Sequence, residues 1–220
     1  MIMKNRTKNQ VVRGIIAFCL FAVLPLGMQA QTEEEARWSI TPHVGFNSSN
    51  MSGQDVMQIG SPSGTSELVK PKRQIGFVGG VEADYRYMKS LSTAVGVWYS
   101  REGFRYKEID GNAHTNLDFL NFSVVENLYV ADGLAIKAGL QVGCMLNAKS
   151  YLEGKCEDSG NIYKKCNLSI PVGASYEYHN VVLDVRYNIG LTNLCDIKLL
   201  NEKWRTNSLW VTLGYKFDIR

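Results

Sequence analysis

From Arg37 to the C-terminus, apolar and polar residues alternate with period 2 in eight successive runs. That pattern describes half-buried β-strands and leaves no stretch with helical spacing. The apolar members of the first run are Trp38, Ile40, Val44 and Phe46, and of the second Ile75, Phe77, Val81, Ala83, Tyr85 and Tyr87. Leu91, Val95, Val97 and Tyr99 make the third, and Leu120, Phe122, Val124, Leu128 and Val130 the fourth. The fifth and sixth are carried by Leu134, Ile136, Ala138, Leu140, Val142 and Leu146, and by Leu168, Ile170, Val172, Tyr176 and Tyr178. The last two are carried by Val181, Leu183, Val185, Tyr187, Ile189 and Leu191, and by Leu209, Val211, Leu213, Tyr215, Phe217 and Ile219.

The connections alternate as well. Met88-Lys89-Ser90, Ala131-Asp132-Gly133 and His179-Asn180 join runs 2–3, 4–5 and 6–7. Longer loops, residues 48–73, 106–112, 149–164 and 193–203, join the others. A tight hairpin places its flanking residues opposite each other on one face. The expected pairs are Tyr87/Leu91, Val130/Leu134 and Tyr178/Val181, and all six residues belong to the apolar sets. The expectation is an all-β, eight-stranded antiparallel up-and-down barrel.

Such a barrel either holds its apolar face inward, as a soluble carrier does, or outward to lipid. The polar face carries Glu82, Asp84, Arg86, Glu102, Lys137, Glu177, Asp184, Arg186, Lys216 and Asp218, six acids and four bases. Glycines interleave with them, which suits a packed lumen where charges pair. Trp38, Tyr85, Tyr87, Tyr178, Tyr215 and Phe217 gather on the apolar face near the short turns. A one-ended aromatic ring is the interfacial girdle of a transmembrane barrel, and a soluble core has no reason to form one. Short periplasmic turns and long outer loops fit the same reading. Run 4 is irregular. Glu126 shares the outward parity, and Leu117 and Phe119 oppose Leu120 and Phe122. Either a bulge realigns part of the strand, or Glu126 sits at the periplasmic interface, where its cost is small.

Residues 1–30 read as a secretory signal peptide. Lys4, Arg6, Lys8 and Arg13 precede an apolar stretch at residues 14–28, shorter than the ~20 residues a spanning helix needs and broken by Pro25, and small Ala30 closes a candidate cleavage site. Phe18 before Cys19 argues against lipid attachment there. A mobile acidic leader, residues 31–36, and a barrel domain, residues 37–220, follow. Without the four basic residues of the exported segment, 20 Lys and Arg face 21 Asp and Glu, so the remaining chain has no electrostatic footprint for nucleic acid.

Several short pieces then occur in order: Thr41-Pro42-His43-Val44-Gly45-Phe46-Asn47 with Ser49-Asn50-Met51, Gly76-Phe77-Val78-Gly79-Gly80, Asp118-Phe119-Leu120, Ala138-Gly139-Leu140-Gln141-Val142-Gly143 and Leu213-Gly214-Tyr215-Lys216-Phe217. In their order and spacing the chain resembles the PorT-type outer-membrane β-barrel family of Gram-negative bacteria, from Ile40 onward. Such barrels often end on an aromatic residue, whereas Asp218-Ile219-Arg220 follow Phe217 here. The resemblance implies an outer-membrane location, contact with outer-membrane lipid and assembly by the barrel-insertion machinery. The family's namesake is linked to secretion.

Motifs that carry chemistry are sparse. His43, His114 and His179 lie far apart in sequence and topology, no compact His-x-Ser motif accompanies His114 and Ser123, and Gly79-Gly80 precedes no helix that could cradle phosphate. No catalytic, metal or cofactor residues are assigned. Eight strands enclose an interior just wide enough for side chains. The expected function is that of a non-enzymatic outer-membrane barrel with a filled lumen, acting through its outer loops on an unknown partner or in envelope structure. The alternative is a secretion-associated or lipid-modifying barrel. Cys156 and Cys166 flank the turn-forming Asp158-Ser159-Gly160-Asn161 and form the candidate disulfide, with Cys195 as the competing partner and Cys144 as a small residue on the lipid face.

Overall fold

A computed structural model describes residues 37–52, 57–60, 66–69, 71–107, 112–152, 155–158, 164–194 and 204–219. The expected signal peptide and leader, and Cys195, lie outside the described residues. Eight long strands carry the fold: β1 (Arg37–Ser52), β2 (Lys72–Met88), β3 (Leu91–Lys107), β4 (Asn112–Ala131), β5 (Leu134–Leu152), β6 (Cys166–Tyr178), β7 (Val181–Gly190) and β8 (Arg205–Tyr215), with β8 resumed after Lys216 by Phe217–Ile219. Each pairs antiparallel with the next, and β8 returns to β1, matching His43 with Gly214 through Ser52 with Arg205. The sheet is therefore a closed eight-stranded antiparallel barrel.

Exposure follows the alternation. Phe46, Ile75, Leu146 and Tyr178 stand on the outside, whereas Glu82, Lys137, Asp184 and Arg186 are buried inside. A soluble barrel would show the reverse. Trp38 packs on Tyr85 at 4.6 Å between ring centroids, and Tyr215 on Phe217 at 4.9 Å, in the aromatic ring at the short-turn end.

Between β3 and β4 the outward apolar band has polar limits. Below it, Thr93 Oγ1 and Tyr87 OH donate to the Glu126 carboxylate at 2.7 and 3.1 Å. Above it, Arg101 Nε and Tyr99 OH donate to Asp118 Oδ1 at 2.8 and 2.9 Å. Eight residue steps separate Thr93 from Arg101. At ~3.3 Å per step and a tilt near 40°, they span roughly 20 Å along the barrel axis, close to the ~25 Å apolar band of such barrels. β4 keeps one parity from Leu117 to Leu128, so Glu126 faces outward at the periplasmic edge of the band. Beside the outer half of β4 the extra residue belongs to β5, where Leu146 is skipped between the pairs Asp118–Asn147 and Phe119–Met145.

Two of the three expected hairpin pairs are displaced. Tyr178 faces Val181 as expected across His179-Asn180, whose φ angles of 46° and 67° give the left-handed turn that matches strand twist. At the other two turns the flanking pairs are Met88–Leu91 and Ala131–Leu134, because one-residue bulges at Tyr87 and Val130 intervene. Each bulge shortens the loop by one residue and keeps its aromatic or aliphatic side chain on the outer face.

The strands also run further than alternation indicated. β4 has 20 residues, against the ~9–11 needed to cross a bilayer. Beyond the lipid the hydrophobic alternation fades while the hydrogen-bonded ladder continues. The first long loop contains a small hairpin, Met57–Gly60 with Ser66–Val69, and Lys155–Asp158 pairs with the outer end of β5.

A closed ladder without edges resists detergent. Unheated protein is therefore expected to migrate at a different apparent mass from boiled protein in SDS gels. Identical mobility, with recovery in the soluble periplasmic fraction, would contradict the membrane barrel.

Candidate functional site: a lumen closed by side chains

The inward row of each strand ends in the same narrow space, so polar residues far apart in sequence meet there. From β5, Lys137 Nζ donates to Glu82 Oε1 of β2 at 2.8 Å and to Asp184 Oδ2 of β7 at 2.7 Å. Arg186, two residues along β7, donates to Asp184 through Nε at 2.7 Å and Nη2 at 2.9 Å, and to Glu82 Oε2 at 3.0 Å. Two acids and two bases thus form a neutral quartet, with Asp184 0% and Arg186 2% exposed. Buried ions persist only when paired and hydrogen-bonded, because isolated charges cost far more than their packing returns.

The other expected network members separate into distinct contacts. Lys216 pairs with Glu177 at 2.9 Å near the short-turn mouth. Asp84 accepts from Ser92 Oγ and Asn127 Nδ2, both at 2.7 Å. Arg86 places its guanidinium 3.7 Å over the Tyr129 ring. Glu102, well above the quartet, accepts from Ser208 Oγ at 2.9 Å. Asp218 is a correction. It lies on the short Phe217–Ile219 segment beyond the break at Lys216, opposite Ser39, and is exposed at the rim rather than held in the lumen. The ten residues therefore include a compact quartet, the Lys216–Glu177 pair and three separately placed groups, with Asp218 outside.

Above the quartet the lumen is aromatic and then apolar. Trp98 stacks obliquely on Trp210 at 5.7 Å with Val78 beside them, and Arg186 lies 4.4 Å over the Trp98 ring. Trp98 Nε1 donates to Ser123 Oγ at 3.1 Å. Gly80 and Gly96 make room for this ring: a Cβ at Gly96 would lie 2.3 Å from Trp98 Nε1. Higher still, Met51, Phe104, Leu117, Phe119, Ala148, Leu194 and Trp204 form one apolar cluster. These inward tryptophans and the upper cluster escaped the sequence reading. Their signal was parity alone, since Trp98 and Phe119 occupy positions where the neighbouring turns of the pattern are polar.

His43 faces the lumen, its ring 5.1 Å from Trp98. His114 stacks on Tyr151 at 4.7 Å on the outer part of β4, and His179 sits in its turn. Nine positions separate His114 from Ser123, and an odd separation puts them on opposite faces of one strand. The candidate disulfide is also displaced. The ladder sets Cys156 opposite Tyr151 and Cys166 opposite Cys144. Those positions are seven residues apart on β5, roughly 24 Å, far beyond the ~4.4–6.8 Å reach of a disulfide. Residues 159–163 of the intervening loop lie outside the described residues, and β5 pairs with the two sides of that loop at different heights.

A model for the outer membrane protein beta-barrel domain matches residues 29–196. The chain belongs to that family. Among solved barrels, it is similar to Neisserial surface protein A, with 18% identity over 84% of this chain and 100% of that one and a TM-score of 0.50. It is also similar to the attachment invasion locus protein Ail of Yersinia pestis, with 15% identity, coverage of 81% and 98%, and a TM-score of 0.48. OprG from Pseudomonas aeruginosa shares 10% identity over 81% of this chain and 95% of that one, with a TM-score of 0.40. The likeness to Neisserial surface protein A shows the fold alone. No curated protein matches the chain.

For this outer-membrane barrel, the quartet has a direct thermodynamic signature. Arg186→Ala leaves Glu82 and Asp184 sharing one cation, and is expected to lower unfolding stability in lipid vesicles by about 3 kcal/mol. Asp218→Ala, at the exposed rim, is expected to stay within about 0.5 kcal/mol of the parent. Equal effects of the two in urea titrations would contradict the quartet.

Proposed function

We propose that this chain is a non-enzymatic outer-membrane barrel of the PorT type, exported by the peptide at residues 1–30. Its lumen is structural, and its outer loops or its place in the envelope carry the function. The observation that supports this reading is the filling of the lumen above its short-turn mouth, where an open polar recess of about 340 Å³ is lined by Arg86, Tyr129, Asp132, Glu177 and His179. Deeper in the barrel, a polar cavity of about 30 Å³ lies beside His43, Glu82, Asp84 and Lys137. That volume holds a water molecule or two and no larger solute. Above it, the quartet, the Trp98–Trp210 layer and the apolar cluster succeed one another.

The outer end is built for presentation. The long strands raise the loop bases above the apolar band, and Leu194 and Trp204 anchor both sides of the last loop in the upper cluster, with Leu194 N donating to Trp204 O at 2.9 Å. In this reading outer-membrane lipid meets the apolar belt, the barrel-insertion machinery assembles the chain, and an unidentified partner engages the loops. The opposite faces of His114 and Ser123 disfavour a lipid-modifying site built on that pair.

Purified protein in planar bilayers is expected to give no stable single-channel currents, and His114→Ala and Ser123→Ala are expected to leave the composition of the surrounding lipid A unchanged. Large, stable currents would contradict the filled lumen. A lipid A change on either substitution would contradict the non-enzymatic reading.

A further inference from the structure

Cys144 of β5 and Cys166 of β6 are directly opposite each other in the antiparallel ladder. Cys144 is half-buried and Cys166 is exposed. Their position within the hydrogen-bond pattern follows from their neighbours. Met145 N donates to Lys165 O at 2.7 Å, so Met145 and Lys165 form a hydrogen-bonded pair. Opposed pairs alternate along an antiparallel ladder, which makes Cys144–Cys166 a non-hydrogen-bonded pair. At such sites Cα atoms lie ~4.5 Å apart and side chains make their closest approach, within the ~4.4–6.8 Å range of disulfides. Both side chains share the outward parity of Val142 and Leu168. Cys144 is also level with Leu120 across β4, and Leu120 with Tyr99 across β3, at the upper edge of the apolar band.

We propose that Cys144 and Cys166 are joined by a cross-strand disulfide that staples the base of the outer loop between β5 and β6. The chain passes through an oxidising compartment before insertion. One thiolate attacks the disulfide of an envelope thiol oxidoreductase, giving a mixed disulfide and releasing one thiol of the oxidant. The second cysteine then attacks the mixed disulfide, forming the Cys144–Cys166 bond and releasing the oxidant's other thiol. The two electrons lost by the cysteines reduce the oxidant's disulfide, and their two protons end on its thiols. The bond closes a loop containing residues 145–165, including the Lys155–Asp158 strand that extends β5. It also leaves Cys156, opposite Tyr151, outside the bridge.

The test is non-reducing peptide mapping of full-length protein from outer membranes, with free thiols blocked by N-ethylmaleimide at lysis, and of folded protein incubated with oxidised glutathione. The expected product is a Cys144–Cys166 peptide pair two hydrogen atoms lighter than the reduced peptides, lost in Cys144→Ser and retained in Cys156→Ser. Heat-modifiable migration of Cys144→Ser distinguishes loss of the bridge from loss of the fold. A link from Cys144 or Cys166 to Cys156 or Cys195 would overturn the proposal. So would alkylation of both Cys144 and Cys166 after exposure of the folded protein to oxidised glutathione.

Discussion

The pairing of β8 with β1 is the constraint on which the rest of the structure depends. Within the hydrocarbon of a bilayer no water satisfies exposed backbone groups, so a sheet there must close on itself. The register from His43–Gly214 to Ser52–Arg205 provides that closure. With the ring closed at eight strands, the side-chain period of 2 leaves one row per strand for lipid and one for a narrow interior. Every inward residue must then find its partner within that interior or leave a polar group buried without one.

The lumen meets most of this requirement in layers, while Arg186 Nη1, Gln141 Oε1 and Asn188 Oδ1 are buried without a hydrogen-bond partner among the described residues. The Glu82–Lys137–Asp184–Arg186 quartet is neutral and densely bonded. Its guanidinium also covers the Trp98 ring, which couples the charged layer to the aromatic one. A favourable stacking of this kind contributes ~0.5–2 kcal/mol where it is desolvated. Replacing a buried ion cluster with apolar residues is often neutral or stabilising, whereas removing one ion is costly. The quartet is therefore better understood as fixing the relative register of β2, β5 and β7 than as a large net source of stability. The apolar cluster of Phe104, Leu117, Phe119 and Trp204 closes the outer end by a different means, where the barrel wall rises beyond lipid and hydrophobic burial again favours the inside.

Much of this was legible in the sequence because period 2 is a local property. The eight strands, the outward apolar rows, the short-turn end and nearly all inward charges follow from parity alone. What escaped depends on contacts across the lumen or along neighbouring strands. Trp98, Trp210, Leu117 and Phe119 are apolar residues on the polar face, and nothing local marks them as lumen packing. The bulges at Tyr87 and Val130 shift pairing by one residue without changing the composition of either strand. Asp218 has the parity of a lumen residue, but the ladder breaks at Lys216 before it. Cys166 is ten residues from Cys156 in the chain and more than twice as far from Cys144, yet the ladder pairs it with Cys144.

The orientation of the two faces, with the polar rows and Trp98 inward and Trp38 toward lipid, governs everything else in the barrel. It is tested most directly by quenching with brominated phosphatidylcholine in reconstituted vesicles. The chain has four tryptophans, so variants that retain only Trp38 or only Trp98, with phenylalanine at the other three positions, report each face separately. Strong quenching of Trp38 and little of Trp98 are expected. Strong quenching of Trp98 with Trp38 unaffected would show that the faces are reversed and contradict the account.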